Sequence, residues 1–532
     1  MRRSHFYLLV LVLIIATFLR LYHITTTPPG LYPDEAMNGN NALETLSTTN
    51  FSVQGGPASG WKVFYPENNG REGLFMNIQA LSLMAFGVNE PWVLRFPSTL
   101  FGIFTVLGIY FLARELFGKE VALLAAFLLA TNFWHIMFSR IGFRAIMAPF
   151  FIIWALFFLL KTFNRIRNDS RMSIVNGQLS IVAGVLFGLG MYSYIAYRVT
   201  PVLILLVMLF YFAMSRREKW RGAFFRAALC FSIATIVTVA PLAAYYIQHP
   251  EDFLGRTSQV SVFASETPIH DLAWNTVKTL GMFNIVGDWN QRHNEGGRPA
   301  LFWPVGLMFL IGAVVAIKNM INSKSEALNS KQSQNSNIEN MKHGGVLNFK
   351  NWGLFRNSDF WFMILVVWFL LAMAPVVISN EGLPHALRSI LLIPPTIILA
   401  AAGGVAIYGF LKKFIRASRL KPLAAILLVL LVAEAYSTYF VVWANNPKTP
   451  EAFAADYVAL GKRLNAIPAE IPKYVIVEAG GVLVRGIPMP SQTVMFITDT
   501  FTPEKQAANN IRYILPGDED TIPSGALIFR IK

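Results

Sequence analysis

The sequence has little charge and almost no cysteine. Charged residues make up 14% of its 532 residues and hydrophobic residues 54%, whereas soluble domains carry about 25% charged residues. This composition excludes a soluble globular protein, because too few polar residues remain to cover the surface. The single cysteine, Cys230, lies inside a hydrophobic run, so an intramolecular disulfide is also excluded. We find no internal repeat.

Long hydrophobic runs fill much of the chain instead. Runs of roughly 17 to 22 residues can cross about 30 Å of hydrocarbon as helices, so we predict an all-α polytopic membrane protein with about eleven transmembrane helices. The first run follows Met-Arg-Arg but is too long for a signal peptide and lacks a small-residue cleavage site, so we expect a retained anchor. The predicted spans are 6–22, 96–113, 121–138, 146–162, 179–196, 200–214, 227–246, 301–317, 359–378, 388–410 and 422–441.

Basic residues predict which side of the membrane each loop occupies, because short loops rich in Lys and Arg stay in the cytoplasm. With these spans, Arg2, Arg3 and five basic segments share one side, which we assign to the cytoplasm. The same bias accounts for most of the net charge of +15. We therefore expect contact with membrane lipids and no binding of nucleic acid. The five segments are 114–119, 161–171, 216–226, 318–356 and 412–421.

The polar regions between spans predict two domains. Residues 1–441 form the transmembrane domain, with outer loops at 23–95 and 247–300 and a cytoplasmic linker at 318–358, of which 322–348 is expected to be disordered. Residues 74–86 are apolar but too short for a span, so we expect an interfacial helix there. Residues 442–532 are expected to form a small α/β domain outside the membrane. Its predicted elements are a helix at 452–464 and β-pieces at 474–478, 493–497 and 526–531.

Two adjacent carboxylates, Asp34 and Glu35, follow the first span by about ten residues on the predicted outer face. A carboxylate pair at a membrane surface favours chemistry there. The alternative is a helix start at 37–46, with Asp34 as the N-cap and Glu35 as a first-turn acid favoured by the helix dipole. The residues alone leave both interpretations open.

Four segments together resemble the polytopic glycosyltransferases that use polyprenyl-phosphate sugars. This group contains the protein O-mannosyltransferases and the lipid A aminoarabinose transferase and has the GT-C fold. The resemblance covers roughly residues 1–440 in layout, and the tail only loosely. The segments are the Asp34-Glu35 pair, residues 89–98 (NEPWVLRFPS), residues 139–144 (SRIGFR) and residues 384–388 (PHALR).

The resemblance implies that Asp34 is the catalytic carboxylate. A sugar on a polyprenyl phosphate already has a good leaving group, so one base for the acceptor and cations for the phosphate are sufficient. A single in-line displacement would invert the anomeric carbon. Glu35 is expected to orient Asp34 or to contact the sugar or acceptor. The acceptor is a protein serine or threonine, a glycan or a lipid.

One position departs from the family. An acidic residue usually follows the arginine of the second outer loop by about five positions, but this chain has Ala145 there. The carboxylate pair that would hold a divalent metal is therefore incomplete, and we expect no metal and no other cofactor. A carboxylate from elsewhere remains the alternative, and the candidates are Glu67, Glu72, Asp288 and Glu295.

Cationic side chains on the predicted outer face are candidates for binding the donor phosphate. Arginines are disfavoured in short outer loops, and their guanidinium groups suit phosphate oxygens. Pairing with acidic residues or lipid headgroups is the alternative. The candidates are Arg388, His385, Arg140, Arg144, Arg198 and Lys62, with Arg71 as a second basic residue of the first loop.

Two polar and aromatic segments are candidates for the sugar or acceptor pocket. Residues 287–294 contribute Asp288, Trp289, Arg292 and His293, and the outer end of the fifth span contributes Tyr194 and Tyr197. The alternative for the tyrosines is the aromatic belt of the membrane interface. The glycines at 184, 188 and 190 indicate close helix packing and not a nucleotide loop, which argues against a nucleotide-sugar donor.

The sequence thus predicts a multi-pass cell-membrane glycosyltransferase whose active site faces outside the cytoplasm. A lipid or glycan transporter is the alternative. It fits less well, because transport sites usually lie near the midplane on broken helices or in repeated halves.

Overall fold

Helices dominate the computed structural model, which describes residues 3–47, 60–253, 262–335, 357–379 and 382–532. The helices are α1 Arg3–Leu21, α2 Pro33–Ser47, α3 Leu74–Phe86, α4 Pro91–Phe117, α5 Lys119–Thr131, α6 Phe133–Ser139, α7 Met147–Asp169, α8 Ile174–Gly190, α9 Thr200–Ser215, α10 Arg221–Gln248, α11 Pro268–Gly281, α12 Trp303–Asn335, α13 Asn357–Val377, α14 Ile393–Leu411, α15 Ala417–Tyr436, α16 Lys448–Ala452, α17 Ala455–Asn465, α18 Ser491–Thr498 and α19 Pro503–Asn509. The strands are β1 Phe64–Tyr65, β2 Arg71–Glu72, β3 Lys473–Val477, β4 Leu483–Val484, β5 Ile487–Pro488, β6 Ile511–Ile514 and β7 Leu527–Ile531.

Within these residues, nine helices are long and apolar enough to cross a membrane, and the bent pair α5 and α6 makes a tenth if it forms one span. The remaining predicted span, 179–196, corresponds to α8, which is apolar but only 17 residues long. The prediction of an all-α polytopic membrane protein is confirmed. The short apolar segment at 74–86 is the separate helix α3.

The predicted span 121–138 is broken. Helices α5 and α6 meet at an angle of 62°. The side chain of Asn132 accepts a hydrogen bond from the backbone N–H of His135 at 3.0 Å and so caps the N-terminus of α6. The bend directs the following residues, 139–144, toward the end of α1 and the start of α2.

Glycines allow two pairs of membrane helices to approach closely. A Cβ atom on Gly184 of α8 would lie 2.3 Å from the carbonyl oxygen of Phe231 on α10. A Cβ atom on Gly312 of α12 would lie 1.9 Å from the carbonyl oxygen of Leu399 on α14. The packing role predicted for Gly184 is therefore confirmed.

The C-terminal region contains a three-stranded parallel sheet in the order β6-β3-β7. The predicted pieces at 474–478 and 526–531 overlap β3 and β7, and the predicted helix at 452–464 overlaps α17. The predicted β-piece at 493–497 is wrong, because it lies in α18, whose residues are all buried. Tertiary packing overrides the β-branched composition of this segment.

Helix α18 is buried against the N-terminal part of the chain. The side-chain amide of Asn40 donates to the side chain and to the carbonyl of Gln492 at 2.9 and 3.1 Å, and Thr493 donates to the carbonyl of Leu31 at 2.9 Å. The domain boundary at residue 441 stays a prediction, and a π-helical segment, Ser437–Trp443, runs across it.

The predicted disordered linker is only partly described. Helix α12 continues to Asn335, so the prediction of disorder is wrong for residues 322–335, and the remainder, 336–348, lies outside the described residues. The helix continues because residues 324–328 (KSEAL) include good helix formers that extend an existing helix without a new nucleation step.

Candidate functional site

Asp34 lies in the first turn of α2, which begins at Pro33. Its side chain is half-buried, and its Oδ1 accepts a hydrogen bond of 2.6 Å from the side-chain amide of Asn68. Asn68 belongs to the turn between β1 and β2, where Asn68, Asn69 and Gly70 have φ values of 52°, 63° and 75°. Asn and Gly tolerate this left-handed conformation better than other residues. The turn sequence therefore fits the geometry that holds Asp34.

Glu35 is fully buried beside Asp34. Its carboxylate accepts two hydrogen bonds from the guanidinium of Arg95, at 2.9 and 3.0 Å, and a third from the backbone N–H of Gly142 at 2.6 Å. Arg95 also donates to the carbonyls of Pro28 and Gly30 at 2.7 and 2.9 Å. The ion pair thus joins α2, α4 and the loop after α6.

A polar cavity of about 180 Å³ opens beside Asp34. Among the described residues that line it, Asp34 is the only acid, and Arg71 and Arg144 are the cations. Tyr194 also lines it, as the pocket prediction requires. The full lining is Asp34, Asn38, Asn68, Asn69, Arg71, Phe143, Arg144, Ala145, Tyr194 and Leu387.

Arg71 is buried, and its guanidinium donates to the side-chain oxygens of Asn38 and Asn41 at 2.6 and 2.7 Å. Burial, and then the neighbouring charge of Arg144, lower the pKa of Arg71 to about 10, although Asp34 acts in the opposite direction. Arg71 therefore remains positively charged at neutral pH.

Glu72 links two of the predicted phosphate ligands. Its carboxylate lies 3.0 Å from Nε of Arg144 and 3.8 Å from Nη2 of Arg198. Arg198 also donates to the carbonyl of Phe253 and the hydroxyl of Tyr246, at 2.9 and 3.0 Å. Arg198 does not line the polar cavity. Together with Tyr246 and Phe253 it borders a separate, apolar cavity of about 380 Å³.

Arg140 and Lys62 lie apart from the residues that line the polar cavity. Arg140 is fully buried, and its guanidinium donates to four backbone carbonyls at 2.7 to 3.3 Å. Two of these carbonyls belong to the last turn of α1 and two to the loop after it, so Arg140 satisfies a helix C-terminus. Lys62 is also buried and lies 3.5 Å from the carboxylate of Glu44. The four carbonyls belong to Leu19, Arg20, Tyr22 and Thr27.

The predicted residues of two other loops form a cluster next to the cavity. Nδ1 of His293 lies 3.1 Å from Oδ2 of Asp288, and the rings of His293 and His385 are 5.1 Å apart. Burial lowers the pKa of His385 to about 3, and the neighbouring positive charge of Arg388 acts in the same direction. Burial also lowers the pKa of His293. Both imidazoles are therefore neutral at physiological pH.

The remaining predicted residues are dispersed. The guanidinium of Arg292 lies 3.8 Å from the ring centre of Tyr32, two residues before Asp34. Trp289 is largely exposed. Arg388 donates to the hydroxyl of Ser379. Tyr197 is fully buried and is not among the residues that line the cavity.

Sequence reasoning missed the asparagines that surround Asp34. Asn38 lies one helical turn after Asp34, and residues at this spacing share a helix face. The Asn68-Asn69-Gly70 turn has the composition of a tight turn. The helix face shared by Asp34 and Asn38 and the tight turn could therefore both have been predicted. Nothing in the sequence indicated that the turn packs against α2.

A family comparison matches residues 74–243 to dolichyl-phosphate-mannose-protein mannosyltransferases. A search of curated proteins finds no significant match.

Several solved structures are similar to this chain. The archaeal oligosaccharyltransferase AglB from Archaeoglobus fulgidus, in complex with an inhibitory peptide and a dolichol-phosphate, is similar with a TM-score of 0.52 and 15% identity, over 98% of this chain and 70% of that one. The Archaeoglobus fulgidus oligosaccharyltransferase in complex with Zn and sulfate gives a TM-score of 0.51 and 15% identity, over 95% of this chain and 62% of that one. ArnT from Cupriavidus metallidurans, bound to undecaprenyl phosphate, gives 0.49 and 13% identity over 99% of this chain and 90% of that one.

In these two archaeal structures the chain spans 62% and 70% of the length of the protein it matches. The match in fold covers nearly the whole of the present chain, whereas the family match covers 170 of its residues. The chain therefore has the fold of these archaeal oligosaccharyltransferase structures, and the resemblance to glycosyltransferases inferred from its sequence is confirmed.

Proposed function

We propose that the protein transfers a sugar from a polyprenyl-phosphate donor to an acceptor and that Asp34 is the base. The single observation that carries this proposal is the cavity in which one carboxylate, Asp34, stands with two arginines and several asparagine amides. A carboxylate suits the removal of a proton, cations suit a phosphate, and amides suit sugar hydroxyls. The family match over residues 74–243 supports the same reaction class.

The chemistry is a single displacement. Asp34 takes the proton of the acceptor hydroxyl, the acceptor oxygen forms a bond to the anomeric carbon, and the bond from that carbon to the phosphate oxygen breaks. The polyprenyl phosphate leaves with the electron pair, and the anomeric configuration inverts. The hydrogen bond from Asn68 to Oδ1 fixes the carboxylate, so that Oδ2 is the oxygen proposed to take the proton.

We assign the leaving phosphate to Arg71 and Arg144, because both line the cavity. Arg198 is connected to Arg144 through Glu72 and is proposed to bind the phosphate when Glu72 releases it. Arg388 and His385 remain proposed ligands at the cavity edge, next to Leu387.

Other predicted site residues have contacts that favour a supporting role. The N–H groups of Arg140 and the carboxylate of Glu35 are directed at buried partners, so we propose that they position the loops around Asp34. The same role is proposed for Lys62 through Glu44.

We further propose that the cavity faces outside the cytoplasm. Its residues come from loops that the distribution of basic residues assigns to the outer side. We also propose that the transfer step uses no divalent metal, because Asp34 is the only acid among the described lining residues and a hard cation requires several oxygen ligands.

The test is transfer of labelled sugar from a panel of polyprenyl-phosphate donors to membrane extract by the purified protein. Asp34→Asn is expected to reduce transfer at least a thousandfold while the protein stays folded. Asp499→Asn, in an exposed ion pair with Lys505 of the C-terminal region, is the matched control and is expected to leave the rate unchanged. The rate is also expected to be the same with and without added Mg²⁺ or Mn²⁺.

Two outcomes would contradict the proposal. Full activity of Asp34→Asn would remove Asp34 from the mechanism. No transfer with any donor by folded wild-type protein would instead favour the transporter alternative.

A further inference from the structure

We propose that Asp288, His293 and His385 bind one divalent transition metal of the zinc class. The site lies outside the polar cavity, and the proposal does not depend on the transfer reaction. This proposal differs from the sequence-based expectation that the protein has no metal cofactor.

The three side chains already stand at a spacing close to that of a metal site. One ligand atom from each lies within 4.8 Å of the others, and Nδ1 of His293 is 3.1 Å from Oδ2 of Asp288. A tetrahedral zinc ion with bonds of about 2.0 to 2.2 Å separates neighbouring ligand atoms by roughly 3.3 to 3.6 Å. Since the three ligand atoms lie within 4.8 Å of one another, shifts of about an ångström within the cluster would complete three corners. Water or an anion would occupy the fourth.

The carboxylate is oriented for this purpose by two backbone groups. Oδ1 of Asp288 accepts a hydrogen bond from the N–H of Asn290, and Oδ2 accepts one from the N–H of Ala386, both at 2.8 Å. Oδ2 has two lone pairs, so it can bind a metal with the second while it keeps the bond to Ala386. Ligating carboxylates in metal sites are usually held by such outer hydrogen bonds.

The loop that carries two of the ligands is rigid. The N–H of Gly287 donates to the carbonyl of Gly297, and the N–H of Gly297 donates to the carbonyl of Asp288, both at 2.9 Å. The side-chain amide of Asn294 donates to the carbonyls of Asp288 and Arg298 at 2.8 and 2.6 Å. A Cβ atom on Gly287 would lie only 1.9 Å from the carbonyl oxygen of Arg298. The ligands are therefore held in place before a metal arrives.

The ligand types select the metal. Two imidazoles and one carboxylate favour zinc and similar transition metals over Mg²⁺ or Ca²⁺, which prefer oxygen ligands. Arg292 and Arg388 lie nearby and oppose a cation, as their effect on His385 indicates. We therefore expect an anion in the fourth position and an affinity below that of a site with four protein ligands.

The competing interpretation is a plain hydrogen bond between His293 and Asp288. That interpretation accounts for two of the residues but does not explain why the ring of His385, from a different loop, lies 5.1 Å from that of His293. A metal would join the two loops. Leu387 and Phe143 line the polar cavity, and the ring of Phe143 lies 6.4 Å from that of His293, so the metal would stabilise one wall of the cavity.

A second cluster in the chain supplies the control. His249, Glu251 and Asp252 also place ligand atoms within 4.8 Å of one another. Their setting differs, because the side chains of His249 and Glu251 are 41% and 71% exposed. Exposed groups of this kind stay hydrated, and within the described part of the chain only Asp252 has an outer hydrogen bond, from the hydroxyl of Tyr245 at 2.7 Å. We therefore do not expect this cluster to bind a metal.

The experiment measures metal in the full-length protein after any affinity tag has been removed, because a polyhistidine tag binds zinc itself. After incubation with zinc and dialysis, elemental analysis is expected to give one zinc per chain for wild type and for His249→Gln. His385→Gln and Asp288→Asn are expected to lower zinc affinity at least tenfold. X-ray absorption of the zinc-loaded wild type is expected to show two imidazoles and further N or O ligands at about 2.0 to 2.2 Å.

Three results would overturn the proposal. Wild type that retains no more zinc than His385→Gln would show that the cluster is only hydrogen-bonded. Loss of zinc in His249→Gln would place the metal at the exposed cluster. An absorption spectrum without imidazole ligands would exclude the site even if a variant fails to fold.

Discussion

The buried ion pair behind Asp34 makes a prediction whose size follows from the structure. Glu35→Gln keeps the shape of the side chain but removes its charge. The carboxylate of Glu35 accepts two bonds from Arg95 and one from the N–H of Gly142. In the variant one oxygen becomes an amide that has no acceptor to face, and Arg95 is left buried without its counter-charge.

Breaking a buried pair in this way costs about 3 to 5 kcal/mol. Arg95 keeps its bonds to the carbonyls of Pro28 and Gly30, so we expect the lower end, about 3 kcal/mol. Each 1.4 kcal/mol is a factor of ten, which gives roughly a hundredfold change in the ratio of folded to unfolded protein. If half of this or more appears in the unfolding rate, the half-life shortens 10- to 100-fold.

The assay is the half-life of the folded protein in detergent at a fixed elevated temperature, followed by tryptophan fluorescence, because membrane proteins often unfold irreversibly. The control is Glu90→Gln, which breaks an exposed pair with Lys462. Surface pairs are worth about 0 to 1 kcal/mol, so this control is expected to change the half-life less than about fivefold. Equal half-lives for the two variants would refute the reasoning.

The same variant separates positioning from catalysis. Glu35→Gln protein that is still folded is expected to keep measurable transfer, with a reduced kcat, because Asp34 is displaced but present. Asp34→Asn is expected to lose it. Loss of transfer in Glu35→Gln equal to that in Asp34→Asn, with normal stability, would instead make Glu35 a residue that contacts the substrate.

Three further predictions concern other parts of the molecule. Arg144→Gln is expected to lower kcat/KM for the donor 10- to 100-fold in the folded fraction and also to shorten the half-life, because Glu72 stays buried with only Arg198, at 3.8 Å, as a cationic partner among the described residues. Arg140→Gln is expected to act mainly on the half-life; unchanged kcat/KM in folded Arg144→Gln would contradict its proposed role. Gly312→Ala is expected to destabilise the protein by about 1 to 3 kcal/mol through overpacking, measured by thermal unfolding against Gly409→Ala, which has open space around it; equal stability would contradict the close helix contact. Arg485→Ala is expected to raise KM and reduce kcat severalfold in the transfer assay, and unchanged kinetics would exclude a contribution of the C-terminal region to the cavity.

Hydrophobic length made the membrane architecture predictable, because a span must satisfy its own backbone hydrogen bonds. It did not reveal the bend at Asn132. The side chain of Asn132 caps α6 through the N–H of His135, but one asparagine hardly lowers the hydrophobicity of the whole run. The β-branched residues around Thr493 favoured a strand on composition alone. In the structure these residues are helical, because tertiary packing against Leu31, which is distant in the sequence, overrides their strand propensity.

The candidate site was predictable in its residue types and less so in its contacts. Asp34 and Arg144 were both selected from local sequence, and both line the cavity. Arg140 was selected because an arginine at an outer span end requires negative partners, and the structure supplies backbone carbonyls from the end of α1 and the loop after it instead. The role of Glu35 depends on Arg95, which is 60 residues away, and no local pattern contains that information.

A short chain of contacts connects the C-terminal region to Asp34. Arg485, in the turn between β4 and β5, donates to Glu44 at 2.8 Å and to Glu67 at 3.0 Å. Glu67 directly precedes Asn68, which holds Asp34 at 2.6 Å. The position of the carboxylate thus depends on a turn that is itself fixed from both sides, by α2 and by the C-terminal region. A base must lie within hydrogen-bond reach of the proton it removes, so the C-terminal region contributes to that geometry without lining the cavity.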